Sequence, residues 1–275
     1  MKKLLLTLGA IAALGASATA ADLPARTDTR APAMIDPVYN WTGFYLGAGL
    51  GWQRDQTDWE TTEISNPART PAVANRLGLG GPTATFDSNT LRFAGYGGYN
   101  VQLSSVVVGV EGDLGTGFNS KRSLNYIPGT VFGPLGSNTP LGDTTTVEQR
   151  WNGSIRGRAG FLATPTILIY GTGGFAFQEV KNTLACPTSN SRWCVADRTE
   201  SSSKLFQGWT VGGGVEGVVT GNWLARAEYR YSDLGTFKSS YFLNTNTDEV
   251  FATTRLRTSA VTVGLAYKFG GPTRY

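Results

Sequence analysis

Val261-Thr262-Val263-Gly264-Leu265-Ala266-Tyr267-Lys268-Phe269, near the end of a 275-residue chain, sets a bulky apolar side chain at every second position. A strand turns successive side chains to opposite faces. Val261, Val263, Leu265, Tyr267 and Phe269 therefore share one face, and Ala260, Thr262, Gly264, Ala266 and Lys268 share the other. A one-residue slip would exchange the two. An apolar face that ends on two aromatics suits hydrocarbon and its interface, so this segment predicts a membrane-facing strand of an outer-membrane β-barrel.

Working back along the chain, changes of period and turn-forming residues predict eight strands, at roughly 41–53, 91–102, 106–116, 149–162, 166–178, 205–219, 223–234 and 255–269. The connections 103–105, 163–165 and 220–222 are tight, whereas 54–90, 117–148, 179–204 and 235–254 are long. That asymmetry predicts an all-β, eight-stranded, antiparallel up-and-down transmembrane barrel with short periplasmic turns and long extracellular loops.

The alternation also assigns faces. Phe44, Leu46, Ala48, Leu50 and Trp52 alternate with glycines and Tyr45; Val106, Val108, Val110 and Leu114 alternate with Gly109, Glu111 and Asp113. Trp151, Ile155, Ala159 and Phe161 oppose Asn152, Ser154, Arg156 and Arg158, and Trp223, Ala225, Ala227, Tyr229 and Tyr231 oppose Arg226, Glu228 and Arg230. Glu216 falls with Gly212 and Gly214, opposite Val211 and Val215. An Arg or Lys facing mid-bilayer costs several kcal/mol, so Glu111, Asp113, Arg156, Arg158, Glu216, Arg226, Glu228, Arg230 and Lys268 are assigned to the lumen. An eight-strand bore is only wide enough for side chains to fill. These groups are expected to interlock as an ion-pair plug, with a narrow gated pore as the functional alternative.

The N-terminus addresses the compartment. Lys2 and Lys3 precede an apolar run from Leu4 to about Ala16, and Ala18-Thr19-Ala20 offers a small-x-small cleavage site, so residues 1–20 read as a secretory signal. The run is short and broken for a membrane anchor. Residues 21–40, with Pro24, Pro32 and Pro37, read as a periplasmic linker, and 41–275 as the barrel domain. Charged residues are 16% against an ordinary share of about 25%. A mean hydropathy of −0.15 fits alternating lipid-facing and lumen-facing positions. The net charge of +4 becomes +2 once Lys2 and Lys3 are removed, too little to indicate a nucleic-acid partner.

Cys186 and Cys194 are the only cysteines, and an exported chain meets an oxidising compartment, so they are expected to form a disulfide in the third long loop around Trp193. Two Cys without His do not suggest zinc. The chain holds no His, which removes the usual general base of acyl-transfer chemistry and the His ligand of haem, so neither catalytic residue nor cofactor is assigned. The glycine runs 47–51 and 171–174 do not fit a phosphate-binding loop and read as strand glycines. A soluble lipocalin-type barrel would need an apolar lumen and charged exterior, the reverse of the assigned faces, and leaves Trp52, Trp151, Tyr231 and Phe269 near strand ends without a role.

Ala21-Asp22-Leu23-Pro24 after the signal, Tyr39-Asn40-Trp41-Thr42-Gly43-Phe44-Tyr45, the run Arg226 to Gly235 and the ending Val263 to Gly270 together resemble a family. It is that of the small outer-membrane β-barrel surface proteins of alpha-proteobacteria, the porin-family or outer-membrane immunogenic protein-like group. The resemblance covers the mature chain. Thr262, Gly264, Tyr267 and Phe269 match the signal that the barrel-assembly machinery reads in such families, with Gly270 to Tyr275 extending beyond it. The resemblance implies an abundant, non-enzymatic protein of the bacterial outer membrane that supports envelope integrity, contacts outer-membrane lipid and shows its loops to host or environment. Some relatives look like haemin binders or adhesins, so loop-mediated binding of haemin or a host surface molecule is the alternative. A homo-oligomer stays open.

Overall fold

A computed structural model describes residues 39–65, 82–118, 120–129, 142–187, 197–243 and 249–270. The expected signal peptide and most of the linker lie outside these residues. The chain runs through β1 (Gly43–Ser65), β2 (Thr83–Leu103), β3 (Val106–Phe118), β4 (Lys121–Leu124), β5 (Thr144–Thr164), β6 (Ile167–Cys186), β7 (Arg198–Thr220), β8 (Trp223–Tyr241) and β9 (Glu249–Lys268). Every pairing is antiparallel. β1 pairs with β9 and β3 with β5, which closes a ring of eight strands. The four-residue β4 takes the place of β3 against β5 beyond the point where β3 ends.

Phe44, Leu46, Leu50, Val110, Leu114, Ile155, Phe175, Trp209, Val263 and Leu265 are exposed on the outer wall, as hydrocarbon requires. Closure satisfies the backbone without water. Inside, tyrosine rings lie over glycines. A Cβ on Gly98 would run into the Val110 carbonyl and stand 2.5 Å from Tyr45 Oη, and one on Gly47 would stand 2.6 Å from Tyr96 Cζ. The glycines thus make room for the rings that fill the periplasmic half of the lumen.

The strands run well past the expected boundaries. Much of 54–90, 179–204 and 235–254, and part of 117–148, read from sequence as long loops, is strand. The apolar phase reverses at the edge of the belt. In β1 the apolar positions are even and outward as far as Trp52, then Trp59 is odd and buried; in β6 they are odd and outward through Phe175, then Val180 and Leu184 are even and buried. Above the membrane, water lies outside and the greasy face must turn inward. A reading that follows one phase stops where the phase changes.

Above the belt the ring also divides. The β2–β3 ladder ends at Leu91↔Phe118 and the β7–β8 ladder at Trp209↔Asp233, while the other ladders continue. Two four-stranded sheets result, β2–β1–β9–β8 and β4–β5–β6–β7. They enclose a core of Trp59, Phe86, Ile127, Val147, Val180, Leu184, Phe206, Tyr241, Val250 and Leu256. The second division coincides with a β-bulge. The β8–β9 register shifts between Asp233 and Thr236, Gly235 takes a φ of +74°, and its N–H donates to Asp233 Oδ1 at 3.0 Å. Side chains bridge the divided edges: Phe206 lies 5.7 Å from Phe237 between ring centroids, and Arg122 Nε donates to the Asp87 carbonyl at 3.1 Å.

A lumenal glycine and a lipid-facing one on the same strand yield a paired test. Gly98→Val is expected to lower the unfolding free energy of the detergent-solubilised barrel by about 1–3 kcal/mol through overpacking. Gly95→Val, whose new Cβ meets nothing within 4 Å, is expected to leave it unchanged. Gel mobility against temperature before boiling measures both.

Candidate functional site

The lumen holds the densest chemistry in the fold. Glu111 on β3, Arg156 and Arg158 on β5, Glu216 on β7 and Arg226 and Glu228 on β8 are all buried on the inner face. Glu111 is the hub. Its Oε1 accepts from Arg156 Nη2 at 2.6 Å, and its Oε2 accepts from Arg226 Nη1 at 2.5 Å and Tyr45 Oη at 2.7 Å. Arg156 Nη1 reaches Glu228 Oε1 at 2.7 Å, and Tyr170 Oη donates to Glu228 Oε2 at 3.0 Å. Arg158 spans Glu216 Oε2 at 3.1 Å and Tyr45 Oη at 3.0 Å. The rings also carry cation–π contacts, with Arg226 3.3 Å from the Tyr96 centroid and Arg158 4.2 Å from that of Tyr170.

A second centre lies around Asp113. Arg92 Nη2 at 2.5 Å, Arg230 Nη1 at 2.7 Å and the Ser154 hydroxyl all donate to its carboxylate, and Arg92 Nε donates to Asn152 Oδ1 at 3.0 Å. Arg156 Nη2 lies 3.6 Å from Asp113 and so joins the two centres. A charge buried at this depth requires an opposite charge, and the network, drawn from β1, β2, β3, β5, β6, β7 and β8, gives each acid at least one arginine.

Lys268 is the exception among the charges assigned to this network. It is buried on the inner face, but its Nζ lies 5.4 Å from the Tyr39 ring and 3.4 Å from the Gly270 carbonyl, at the periplasmic mouth. The last strand ends there, one level below the network. Trp41, expected to open the first strand, instead folds under the lumen. It is wholly buried, with its backbone N–H on Gln102 Oε1 at 2.8 Å and Nε1 on the Pro165 carbonyl at 3.2 Å.

Arg92, Asn152, Tyr45, Tyr96 and Tyr170 were not among the residues assigned to the network. Leu91-Arg92-Phe93, a charge between two outward apolar residues, is the signal for Arg92, but β2 is glycine-rich and its glycines carry no phase. Cys186 is disulfide-bonded and buried in the upper core, while Cys194 and Trp193 lie outside the described residues. Of the residues matching the assembly signal, Tyr267 and Phe269 stand on the outer periplasmic rim with ring centroids 5.3 Å apart. Gly264 packs beneath Tyr96, where a Cβ would meet its hydroxyl at 2.9 Å, and Thr262 pairs with Gly51 and Glu228. Tyr275 is outside the described residues.

The family model described as outer membrane protein beta-barrel domain matches residues 6–269. The chain is 30% identical to the 31 kDa outer-membrane immunogenic protein of Brucella melitensis, over 95% of this chain and 98% of that protein. It is 28% identical to the 25 kDa outer-membrane immunogenic protein of Brucella abortus, over 98% and 99%. It is 34% identical to the 22 kDa outer membrane protein of Rhizobium leguminosarum, over 73% and 68%. Among solved structures, the attachment invasion locus protein Ail of Yersinia pestis aligns with a TM-score of 0.38 and 12% identity, over 83% of this chain and 99% of that one. Neisserial surface protein A aligns with a TM-score of 0.38 and 14% identity, over 83% and 98%.

Between the ion-pair network and the upper core lies a neutral polar level containing one acid. Asp55 is wholly buried just beyond the apolar belt, and Gln53 Nε2 donates to its Oδ1 at 2.6 Å. Burial pushes its pKa up to about 6 against the pull of the Gln53 and Gln178 amides and the Arg92 charge. A carboxyl raised in the fold weakens it when ionised, so this penalty is complete above about pH 6 and fades as the pH falls toward the unfolded value. Stability is therefore expected to rise as the pH falls from 7.5 to 5, by roughly 1.4 kcal/mol, with the rest of the penalty fading only below pH 5, and Asp55→Asn to flatten that segment of the profile. Glu111→Gln, which leaves buried guanidiniums short of a charge, is expected to cost about 3–5 kcal/mol at neutral pH. Unfolding in urea, followed by tryptophan fluorescence, reads both variants.

Proposed function

The chain belongs to the outer membrane protein beta-barrel family, and we propose that within it this protein is a structural, non-conducting surface barrel that contributes to envelope integrity and has no catalytic role. The carrying observation is that the lumen is occupied along its whole length. Trp41 lies across the periplasmic end, Tyr45, Tyr96 and Tyr170 above it, then the arginine–carboxylate network, the polar level of Gln53 and Asp55, and the apolar core between the two upper sheets. Between the network and that core, a void of about 20 Å³ beside Gln53, Asn152, Gln178 and Arg230 has room for about one water. A solute would have to break the buried pairs of Glu111 with Arg156 and Arg226 to pass, which costs several kcal/mol. Such an interior holds the wall rigid and closed. The distal sheets face host or environment, in keeping with relatives whose names call them immunogenic.

Planar bilayers containing the purified barrel are expected to show no steady open level. A large, weakly selective and persistent conductance overturns the proposal. Cells lacking the protein are expected to admit more of a hydrophobic dye, and the Glu111→Gln chain to restore the barrier less well than the native one.

A further inference from the structure

The two upper sheets differ in how they meet the leaflet around them. On β2–β1–β9–β8 three outward arginines have acidic partners, Arg54 with Asp87 at 3.5 Å, Arg255 with Asp233 at 2.6 Å and Arg257 with Asp58, and among the described residues Lys238 is the one exposed cation there without an ion pair within 4 Å. On β4–β5–β6–β7 the cations are in surplus. Lys121 and Lys181 make no ion pair within 4 Å among the described residues, and Arg150 reaches Glu148 and Glu179 only at 3.7 and 3.9 Å.

A bulge places these charges against the membrane. The β5–β6 register shifts between Gln149 and Asn152, so Arg150 and Trp151 both point outward where a regular strand would send one of them in. Trp151 packs edge-on against Phe177 at 5.6 Å in the aromatic rim, and Arg150 stands beside it at the headgroup level. The next directly paired row outward contains Lys121, Glu148, Lys181 and Ser203, and the row beyond is entirely hydroxylic: Ser123, Thr146, Thr183 and Ser201. Within that row Ser123 and Thr146 hydrogen-bond at 2.8 Å and Thr183 and Ser201 at 2.9 Å, which holds the hydroxyls flat across four strands. Successive outward rows are about 7 Å apart along the strands.

Apolar, cationic and hydroxylic rows thus follow one another from the belt outward. We propose that this outer wall of β4–β7 is a docking surface for an anionic glycolipid of the outer leaflet. Its acyl chains would lie on the aromatic rim, its acidic groups on Arg150, Lys181 and Lys121, and its sugars on the hydroxyl row. A lysine offers an acidic headgroup a point charge, and an arginine can bind it with two hydrogen bonds. The opposite wall has acyl contacts but no comparable surplus of charge.

The test places the full-length barrel in nanodiscs of zwitterionic phospholipid doped with lipopolysaccharide, with dephosphorylated lipopolysaccharide or with phosphatidylglycerol, and counts retained lipid by native mass spectrometry. Arg150, Lys121 and Lys181 are exposed or half-exposed, so the triple variant R150Q/K121Q/K181Q is expected to fold, which heat-dependent gel mobility verifies. It is expected to retain lipopolysaccharide at least about tenfold less well, each cation near a charged lipid surface being worth about 1 kcal/mol. R54Q/R255Q on the other wall is expected to retain it normally. T146V/T183V is expected to narrow the preference for lipopolysaccharide over phosphatidylglycerol. Equal retention by the triple variant and the native chain overturns the proposal, as does equal loss in R54Q/R255Q. Equal retention of phosphatidylglycerol and lipopolysaccharide by the native chain also overturns it, leaving a merely anionic surface. None of these readouts depends on whether the lumen conducts.

Discussion

Hydrocarbon offers the backbone no hydrogen-bond partner, and the antiparallel pairing of β1 with β9 is what lets this chain cross it. Once the sheet is a ring, each residue has only two places to put its side chain. Greasy ones go to lipid, and ionised ones go to a bore too narrow for bulk water. The carboxylates of Glu111, Asp113, Glu216 and Glu228 and the guanidiniums of Arg92, Arg156, Arg158, Arg226 and Arg230 are then forced into contact, and the hydrogen-bonding tyrosines and Ser154 satisfy part of what remains. The glycines opposite the tyrosines follow from the same narrowness, because two large side chains cannot share one level of so small a bore.

Above the membrane the constraint relaxes. Water can satisfy exposed edges, so the ring need not stay closed, and it divides where β3 ends and where the Asp233–Gly235 bulge diverts β8 from β7. With water outside, burial of apolar surface takes over from backbone closure as the organising force. Trp59 stacks 6.0 Å from Tyr241, and its Nε1 donates to Thr61 Oγ1, which in turn donates to the Pro128 carbonyl at 2.6 Å. The same strands therefore serve first as a membrane barrel and then as two sheets around a conventional apolar core.

How much of this could be read from residues depended on which strands carry charge. In β3, β5 and β8 charged residues mark the inward phase within the membrane, so the faces of Glu111, Arg156 and Arg230 follow from alternation alone. In the membrane-spanning part of β2 glycines dilute the pattern and only Arg92 marks it, so its pairing with Asp113 went unassigned. Asp55 reads as part of a loop because the apolar phase reverses a few residues after Trp52. Lys268 shares the parity of the lumenal charges but sits a level below them, since parity gives the face of a residue and not its depth.

The sequence by itself determined the class of fold, the compartment and, through the period-two pattern of its charged strands, most of the groups that line the lumen. These are local properties, legible because a strand's side chains alternate whatever they meet. Tertiary structure decided which acid meets which base, how Trp41 closes the periplasmic end, and where the ring divides. It also decided which outer wall has cations in surplus. Each of those depends on register and depth across strands that are distant in the chain, and the order of residues along one strand has no information about either.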